Sequence, residues 1–160
     1  MAEQAIVVRS QLIGLEALRL ILPNTAIAEV VAYTQPELPD ESMPEWFLGY
    51  VNWRGYRIPV VSFEQMIDQA GSKPDRRSRV IILNSISADP DRPFYGLLAT
   101  GIPRLMSVDT HSIQNAPEIG DTDVLIMRHV VVDNHPAVIP DQYELEARLK
   151  NHNISISAAE

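Results

Sequence analysis

Leu48-Gly49-Tyr50-Val51-Asn52-Trp53-Arg54-Gly55-Tyr56-Arg57-Ile58-Pro59-Val60-Val61 reads as a β-hairpin. Two runs rich in Val, Ile, Tyr and Trp flank a polar corner, Asn52-Trp53-Arg54-Gly55, in which Gly55 is free to take the positive φ that residues with a Cβ avoid. The corner holds Arg54 at a fixed, strained position. Pro59 has no N–H to give to a ladder, so the return strand is expected at a sheet edge or with a bulge. Edge strands are places where partners dock.

Outward from the hairpin, short apolar runs broken by turn residues recur at 18–22, 27–33, 47–53, 57–61, 79–84, 95–100, 104–108 and 124–132. This spacing predicts a mainly β protein, a barrel or a sandwich. Twelve prolines punctuate the strands, with loops at 35–40 and 87–93. Two helices are expected. One starts at Ser62, with Gln65 at the capping-box position, and stops near Gly71, so that Phe63, Met66, Ile67 and Ala70 share a face and close one end of a barrel. The other has Asp141 as N-cap and Glu144 in the reciprocal position, with Leu145 and Leu149 one turn apart. No internal repeat or low-complexity tract is present. Residues 1–150 read as one domain and 151–160 as a polar tail, expected to be partly mobile.

Composition narrows the function. A chain of 160 residues is long enough for one sizeable core. A net charge of −8 argues against a phosphate-backbone partner, so nucleic acid is not expected. The absence of cysteine rules out a disulfide framework and thiolate metal ligation, and makes a cytoplasmic location the default expectation. Residues 12–22 are dense in Leu and Ile, but Glu16 and Arg19 interrupt a run too short to span a membrane, with no basic leader or cleavage site; buried strands are expected instead. Asn153-Ile154-Ser155 matches a glycosylation acceptor, a tripeptide of little specificity.

No catalytic constellation stands out. Gly-x-Ser-x-Gly, phosphate-binding, dinucleotide and His-Glu-x-x-His patterns are missing, so no enzyme, metal or cofactor is expected. His129 and His135, with Asp133, could imitate a metal site by facing each other across a turn at Asp133-Asn134, although ordinary turn chemistry explains these residues better. Asp121 and Asp123 flank Thr122 beside Gly120, the pattern of a solvated loop. Trp46, Phe47 and Trp53 read as an aromatic cluster in or near the core, with one Trp exposed. Arg54 either caps carbonyls at the hairpin end or recognises carboxylates of a partner. Glu29, a lone glutamate in the apolar run Ile27-Ala28-Glu29-Val30-Val31, is either a solvent-facing alternate or a contact residue.

The hairpin closely resembles the Gly-x-x-Asn-x-Arg-Gly-x-x-x-Pro-Val core of the CheW-like domain, with Gly49, Asn52, Arg54, Gly55, Pro59 and Val60 all matching. The likeness extends to Ile27-Ala28-Glu29-Val30, to Tyr95-Gly96-Leu97-Leu98 and to Arg104-Leu105-Met106-Ser107-Val108, and covers most of the chain. Trp53 stands where the family usually has Leu, and Ala99-Thr100 replaces Val-Asp. The resemblance implies two interlocked five-stranded SH3-like β-barrels around a shared apolar seam. It also implies a non-catalytic adaptor in bacterial chemosensory signalling, for chemotaxis or for twitching motility driven by type IV pili. Such an adaptor would couple the cytoplasmic tip of methyl-accepting chemoreceptors to the regulatory domain of a CheA-type histidine kinase, in receptor arrays at the inner membrane. The variant corner and chain length look more like an accessory CheW-like protein of a pilus-linked system. The kinase itself and the adaptor–receiver fusion are not expected, since neither fits in 160 residues. By carry-over, Ile27, Glu29, Gly49, Asn52, Arg54 and Gly55 are the expected partner contacts, with Ile27 and Glu29 in a compact apolar patch with a charged rim. The alternative is a small-ligand-binding β-barrel protein, or an enzyme with a pocket between its barrels.

Overall fold

A computed structural model describes residues 6–116 and 123–158. In chain order its first strands are β1 (Val8–Gly14), β2 (Arg19–Pro23), β3 (Ile27–Ala32), β4 (Phe47–Trp53) and β5 (Tyr56–Val61), followed by the short helix α1 (Phe63–Met66). Then come β6 (Arg79–Asn84), β7 (Phe94–Ala99), β8 (Arg104–Val108), β9 (Ile113–Asn115), β10 (Ile126–Val132) and β11 (His135–Pro140). The helix α2 (Gln142–Asn151) and a last strand, β12 (Ser157–Ala158), complete the fold.

Two sheets result, each of five longer strands plus one short one. The first runs β8-β1-β2-β11-β10-β9; in the second, β12-β5-β7-β6-β3 with β4 also on β5, the short member is β12. Each sheet curls, and the chain itself links its two edges. The edges β8 and β9 of the first are joined by residues 109–112 alone, a turn in which the Asp109 carboxylate accepts the N–H groups of His111 and Ser112 at 2.8 and 2.9 Å. In the second, chain leaving β3 crosses to the free side of β4, where Glu37 and Tyr50 exchange both backbone hydrogen bonds at 2.8 Å.

Three apolar clusters follow from this closure. Leu12, Ile21, Met106, Val108, Val130 and Val132 fill the first barrel, and Val51, Trp53, Ile58, Val60, Val80 and Ile82 the second. Between them lies the largest cluster, which includes Ile13, Leu20, Phe47, Val61, Ile81, Leu83 and Leu97 together with Phe63 of α1 and Leu145 and Leu149 of α2. Sequence neighbours such as Leu12 and Ile13, Val60 and Val61, or Ile81 and Ile82 therefore serve different clusters. Strands buried on both faces read as unbroken apolar runs, as these do.

Several expectations change. The return strand β5 is interior, with β4 on one side and both β12 and β7 on the other. Both backbone groups of Tyr50 go to Glu37, so the Tyr50–Pro59 pair is not hydrogen-bonded and the Pro59 nitrogen faces the other side. There it falls in the break between β12, paired at Tyr56 and Arg57, and β7, paired at Val60 and Val61. A bulge does occur, on β4 between Phe47 and Gly49. Helix α1 starts at Ser62 as expected, its hydroxyl accepting Gln65 N–H at 3.3 Å, but the chain enters the left-handed region at Asp68 (φ 60) and Ala70 is exposed. Trp46 and Trp53 are both buried, and they lie in different clusters.

Of the segment expected as a partly mobile tail, residues 151–158 are described, and they are held against the body. Ile154 is fully buried in the seam, and Ser157 and Ala158 pair with Arg57 and Tyr56. His129 and His135 do not face each other: His129 pairs with Val138 and His135 with Val132, three residues along, which places them on opposite faces of the hairpin. Among the described residues no group of three His, Asp or Glu side chains is arranged to hold a metal. Asp121 lies outside the described residues, while Asp123 caps a turn by accepting Leu125 N–H at 2.9 Å. No helix among them is long and apolar enough to cross a membrane.

Candidate functional site

The β4–β5 hairpin closes through two residues, Arg54 (φ 47) and Gly55 (φ 80), with Trp53 paired to Tyr56. Positive φ at both loop positions defines a type I′ turn, whose twist matches that of the strands it joins. Asn or Asp is the usual first residue of such a turn. An arginine there is held in the left-handed region at a cost of about 1–2 kcal/mol. The turn aims its side chain over the Trp53 ring, 4.9 Å from the centroid, and towards Glu29, with Nη2 3.3 Å from Oε1.

Glu29 reaches this corner because β3 is bulged. The register against β6 advances two residues on β3, Ile27 to Glu29, for one on β6, Leu83 to Ile82. Ile27 and Val30 consequently pack on the seam, while Ala28 and Val31 pack in the second barrel. Glu29 shares the face of Val31, at the barrel mouth, where the Trp53 Nε1–H donates to its Oε2 at 2.6 Å. This bond is the main reason that the Glu29 carboxyl titrates below its ordinary range; the Arg54 guanidinium adds to the effect and partial desolvation opposes it. The broken alternation of 27–31 thus reflects a bulge rather than a surplus apolar surface. Ile27 is half-buried, and none of the large exposed apolar side chains belongs to β3.

The six expected contact residues divide by exposure. Arg54, Gly55 and Asn52 are exposed at the corner, and Glu29 stands beside them, half-exposed. Gly49 is buried at the bulge with φ 127, where a Cβ would lie 2.6 Å from the Glu37 carbonyl oxygen, so its glycine is required by the barrel closure. Trp53 is the residue that reading it as core packing undervalued. Its ring packs edge-on against Phe94, centroids 4.9 Å apart, while its N–H organises the carboxylate. The signal was the departure at this position, since the leucine usual in the CheW-like pattern has no donor.

A second feature lies between the barrels, a surface groove of about 400 Å³. Ala17, Leu18 and Arg19 of the β1–β2 turn, Ile67 and Gln69 beyond α1, and His129 and Val138 of the β10–β11 hairpin are among its walls. The β1–β2 turn is pinned by α1, where the buried Glu64 carboxylate accepts Glu16 N–H at 3.0 Å.

The described CheW-like domain model matches residues 10–148 of the chain. A curated relative, Chemotaxis protein CheW of Rhizobium meliloti (strain 1021), is 28% identical over 94 residues, or 59% of this chain; the chain spans 57% of that relative. The crystal structure of the scaffolding protein TtCheW from Thermoanaerobacter tengcongensis superposes with a TM-score of 0.70 at 19% identity, covering 88% of each chain, a likeness of fold. Two curled sheets around a shared seam, the Asn-x-Arg-Gly corner and a family match over nearly the whole chain lead to one conclusion: the chain belongs to the CheW-like domain family.

Proposed function

We propose that this chain is a non-catalytic adaptor of bacterial chemosensory signalling that joins the CheW-like regulatory domain of a CheA-type histidine kinase to the cytoplasmic tip of a methyl-accepting chemoreceptor. The observation that carries this reading is the corner itself. An arginine occupies a turn position where asparagine is the better fit, exposed and paired with a glutamate whose carboxylate a buried indole holds in place. An exposed ion pair of this kind adds little to stability, about 0–1 kcal/mol, so the fold alone gives no reason for it. As a recognition element it offers a preorganised guanidinium beside a fixed acceptor, with Asn52 and Gly55 leaving the backbone accessible.

The adaptor would act by geometry. The corner face takes one partner, and the inter-barrel groove, about 400 Å³ and with apolar walls from Leu18, Ile67 and Val138, suits the apolar stripe of a helix from the other. Binding of the purified protein to the isolated regulatory domain of a CheA-type kinase, and separately to a soluble receptor-tip fragment, tests this reading. Saturable binding of either that Arg54→Glu weakens supports it; failure to bind both overturns it. The ligand-binding alternative rests on Arg19, Asp123 and His129, which are among the walls of the same groove. Saturable heat on calorimetric titration with ATP or zinc, lost in His129→Ala, would favour that alternative.

A further inference from the structure

Beyond the two surfaces of the adaptor reading, the end of the second barrel remote from the corner carries a third. We propose that the loop over residues 72–79 and the groove beside it form a docking site for an acidic protein segment anchored by one apolar side chain.

The charge distribution is the first observation. In a chain of net charge −8, Lys73, Arg76, Arg77 and Arg79 place four of the thirteen lysines and arginines within seven consecutive residues. None of the three ion pairs found among the described residues involves them. The loop is nonetheless fixed. Asp75 N–H donates to Ser78 Oγ at 2.9 Å, Asp75 Oδ1 accepts Arg77 N–H at 2.7 Å, and Arg79 Nη1 donates to the carbonyls of Arg76, Arg77 and Ser78 at 3.2, 3.0 and 2.9 Å. Arg79 thus holds the loop together, and Arg76 and Arg77 stay exposed with Lys73 on a preorganised backbone.

Beside this loop runs a groove of about 330 Å³, with Tyr33, Pro36, Leu38, Leu48, Pro74 and Leu98 among its walls. Leu38 is 44% exposed there. Ser72 and Pro74 bring the basic loop to the edge of the groove, so its charge and the apolar floor adjoin. The positive charge at 73–77 draws an acidic segment to this side of the groove. A concave apolar floor suits a side chain of a peptide better than the surface of a bilayer. Leu48 and Trp53 lie near opposite ends of β4, five residues or roughly 16 Å apart, so the groove and the corner are separate surfaces.

Fluorescence anisotropy with the purified protein and a short glutamate-rich peptide carrying one leucine tests the proposal, with anionic phosphatidylserine vesicles as the comparison. Arg76→Glu combined with Arg77→Glu is expected to weaken peptide binding about tenfold or more at low salt, with thermal unfolding unchanged because both side chains are exposed. Leu38→Ser is expected to remove the binding that survives at high salt, and Arg54→Glu to leave peptide affinity as it was. Equal peptide affinity in the wild type and the double variant overturns the proposal. So does vesicle binding without peptide binding, or peptide binding indifferent to the leucine. Because the assay contains neither kinase nor receptor, its failure leaves the adaptor reading standing, and failure of the adaptor reading leaves this result intact.

Discussion

The Trp53 Nε1–H and Glu29 Oε2 are 2.6 Å apart, a charge-assisted hydrogen bond that ties the last residue of β4 to the bulge of β3 at the mouth of the second barrel. The bond favours ionised Glu29, so the folded pKa lies below the ordinary value of 4.5. The corresponding stabilisation is present above the unfolded pKa and is lost as pH falls through the folded value. The Trp53 indole N–H resonance is therefore expected to titrate with a midpoint below 4.5. In Trp53→Leu the Glu29 carboxyl resonance should move its midpoint upward. A midpoint at or above the ordinary value in the wild type would contradict the bond.

Arg54 separates stability from binding. Its φ of 47 is one that asparagine tolerates better than arginine, so Arg54→Asn is expected to leave the fold as stable or to gain up to about 1 kcal/mol, a rise in Tm of a few degrees. The same change removes the exposed guanidinium. If Arg54 is a binding hot spot, it should cost about 2 kcal/mol, roughly thirtyfold in Kd, towards the kinase regulatory domain or the receptor tip. Calorimetric melting and binding titrations on one preparation read both quantities. A variant that binds normally removes Arg54 from the interface.

Gly49 should behave in the opposite way. An alanine there puts a Cβ 2.6 Å from the Glu37 carbonyl oxygen, at a φ of 127 that L-residues rarely adopt. The Glu37–Tyr50 bridge, and with it the closure of the second barrel, has to shift. Gly49→Ala is expected to destabilise the protein by about 2 kcal/mol or more, measured by denaturant unfolding. Any loss of partner binding should scale with the unfolded fraction, whereas Arg54→Asn loses binding in a fully folded protein.

The contrast between Gly49 and Arg54 shows how far the sequence could be read. The strands with apolar runs were legible because burial on one or both faces leaves a compositional trace, and the bounds 47–53, 79–84 and 104–108 hold to the residue. The short strands β9 and β12 have no such trace, being only three and two residues long and set by what they pair with. The end of α1 was illegible for a related reason: Ile67 and Ala70 fit the helical period, yet the chain turns at Asp68 because Gln69 N–H goes back to the Glu64 carbonyl at 2.8 Å. At the corner, the spacing singled out Glu29 and Arg54 but not their contact, since 25 residues separate them in sequence and only barrel closure and the β3 bulge bring them together.

Glu64 offers a pH test in the other direction. It is 2% exposed, and desolvation pushes its carboxyl above the ordinary range despite the hydrogen bonds it accepts from the β1–β2 turn. A raised folded pKa gives stabilisation that is complete below the unfolded pKa and is lost as pH rises through the folded value. Glu64→Gln keeps an acceptor for Glu16 N–H without the buried charge, so at neutral pH it should be as stable as the wild type or more so. Glu64→Leu leaves that N–H without its acceptor and should cost about 1–3 kcal/mol. Thermal melts across the acidic range distinguish the two; a Gln variant less stable than Leu would refute the account.

Glu146 makes the strongest prediction about the fold, because one buried carboxylate joins α2 to the loop after β6. Its oxygens accept Ser85 Oγ at 2.6 Å, Ile86 N–H at 3.1 Å, Ser87 N–H at 2.8 Å, Ser87 Oγ at 2.7 Å and the Tyr95 hydroxyl at 2.9 Å. Gln142 Nε2 donates to the same hydroxyl at 3.0 Å, and burial beside the Glu146 charge pushes the Tyr95 phenol well above its usual range. Glu146→Leu removes the acceptor of five donors and is expected to cost about 3–5 kcal/mol, whereas Tyr95→Phe removes one of those donors and the acceptor of Gln142 Nε2 and should cost about 1–2 kcal/mol. Glu146→Gln keeps one carbonyl oxygen and should fall between them. Amide exchange at Ile86 and Ser87 is the local readout, because both lose their acceptor in the Leu variant and should exchange much faster while the amides of β4 and β5 stay protected. Uniform acceleration across the chain would mean that the network supports global stability without specifically anchoring this loop.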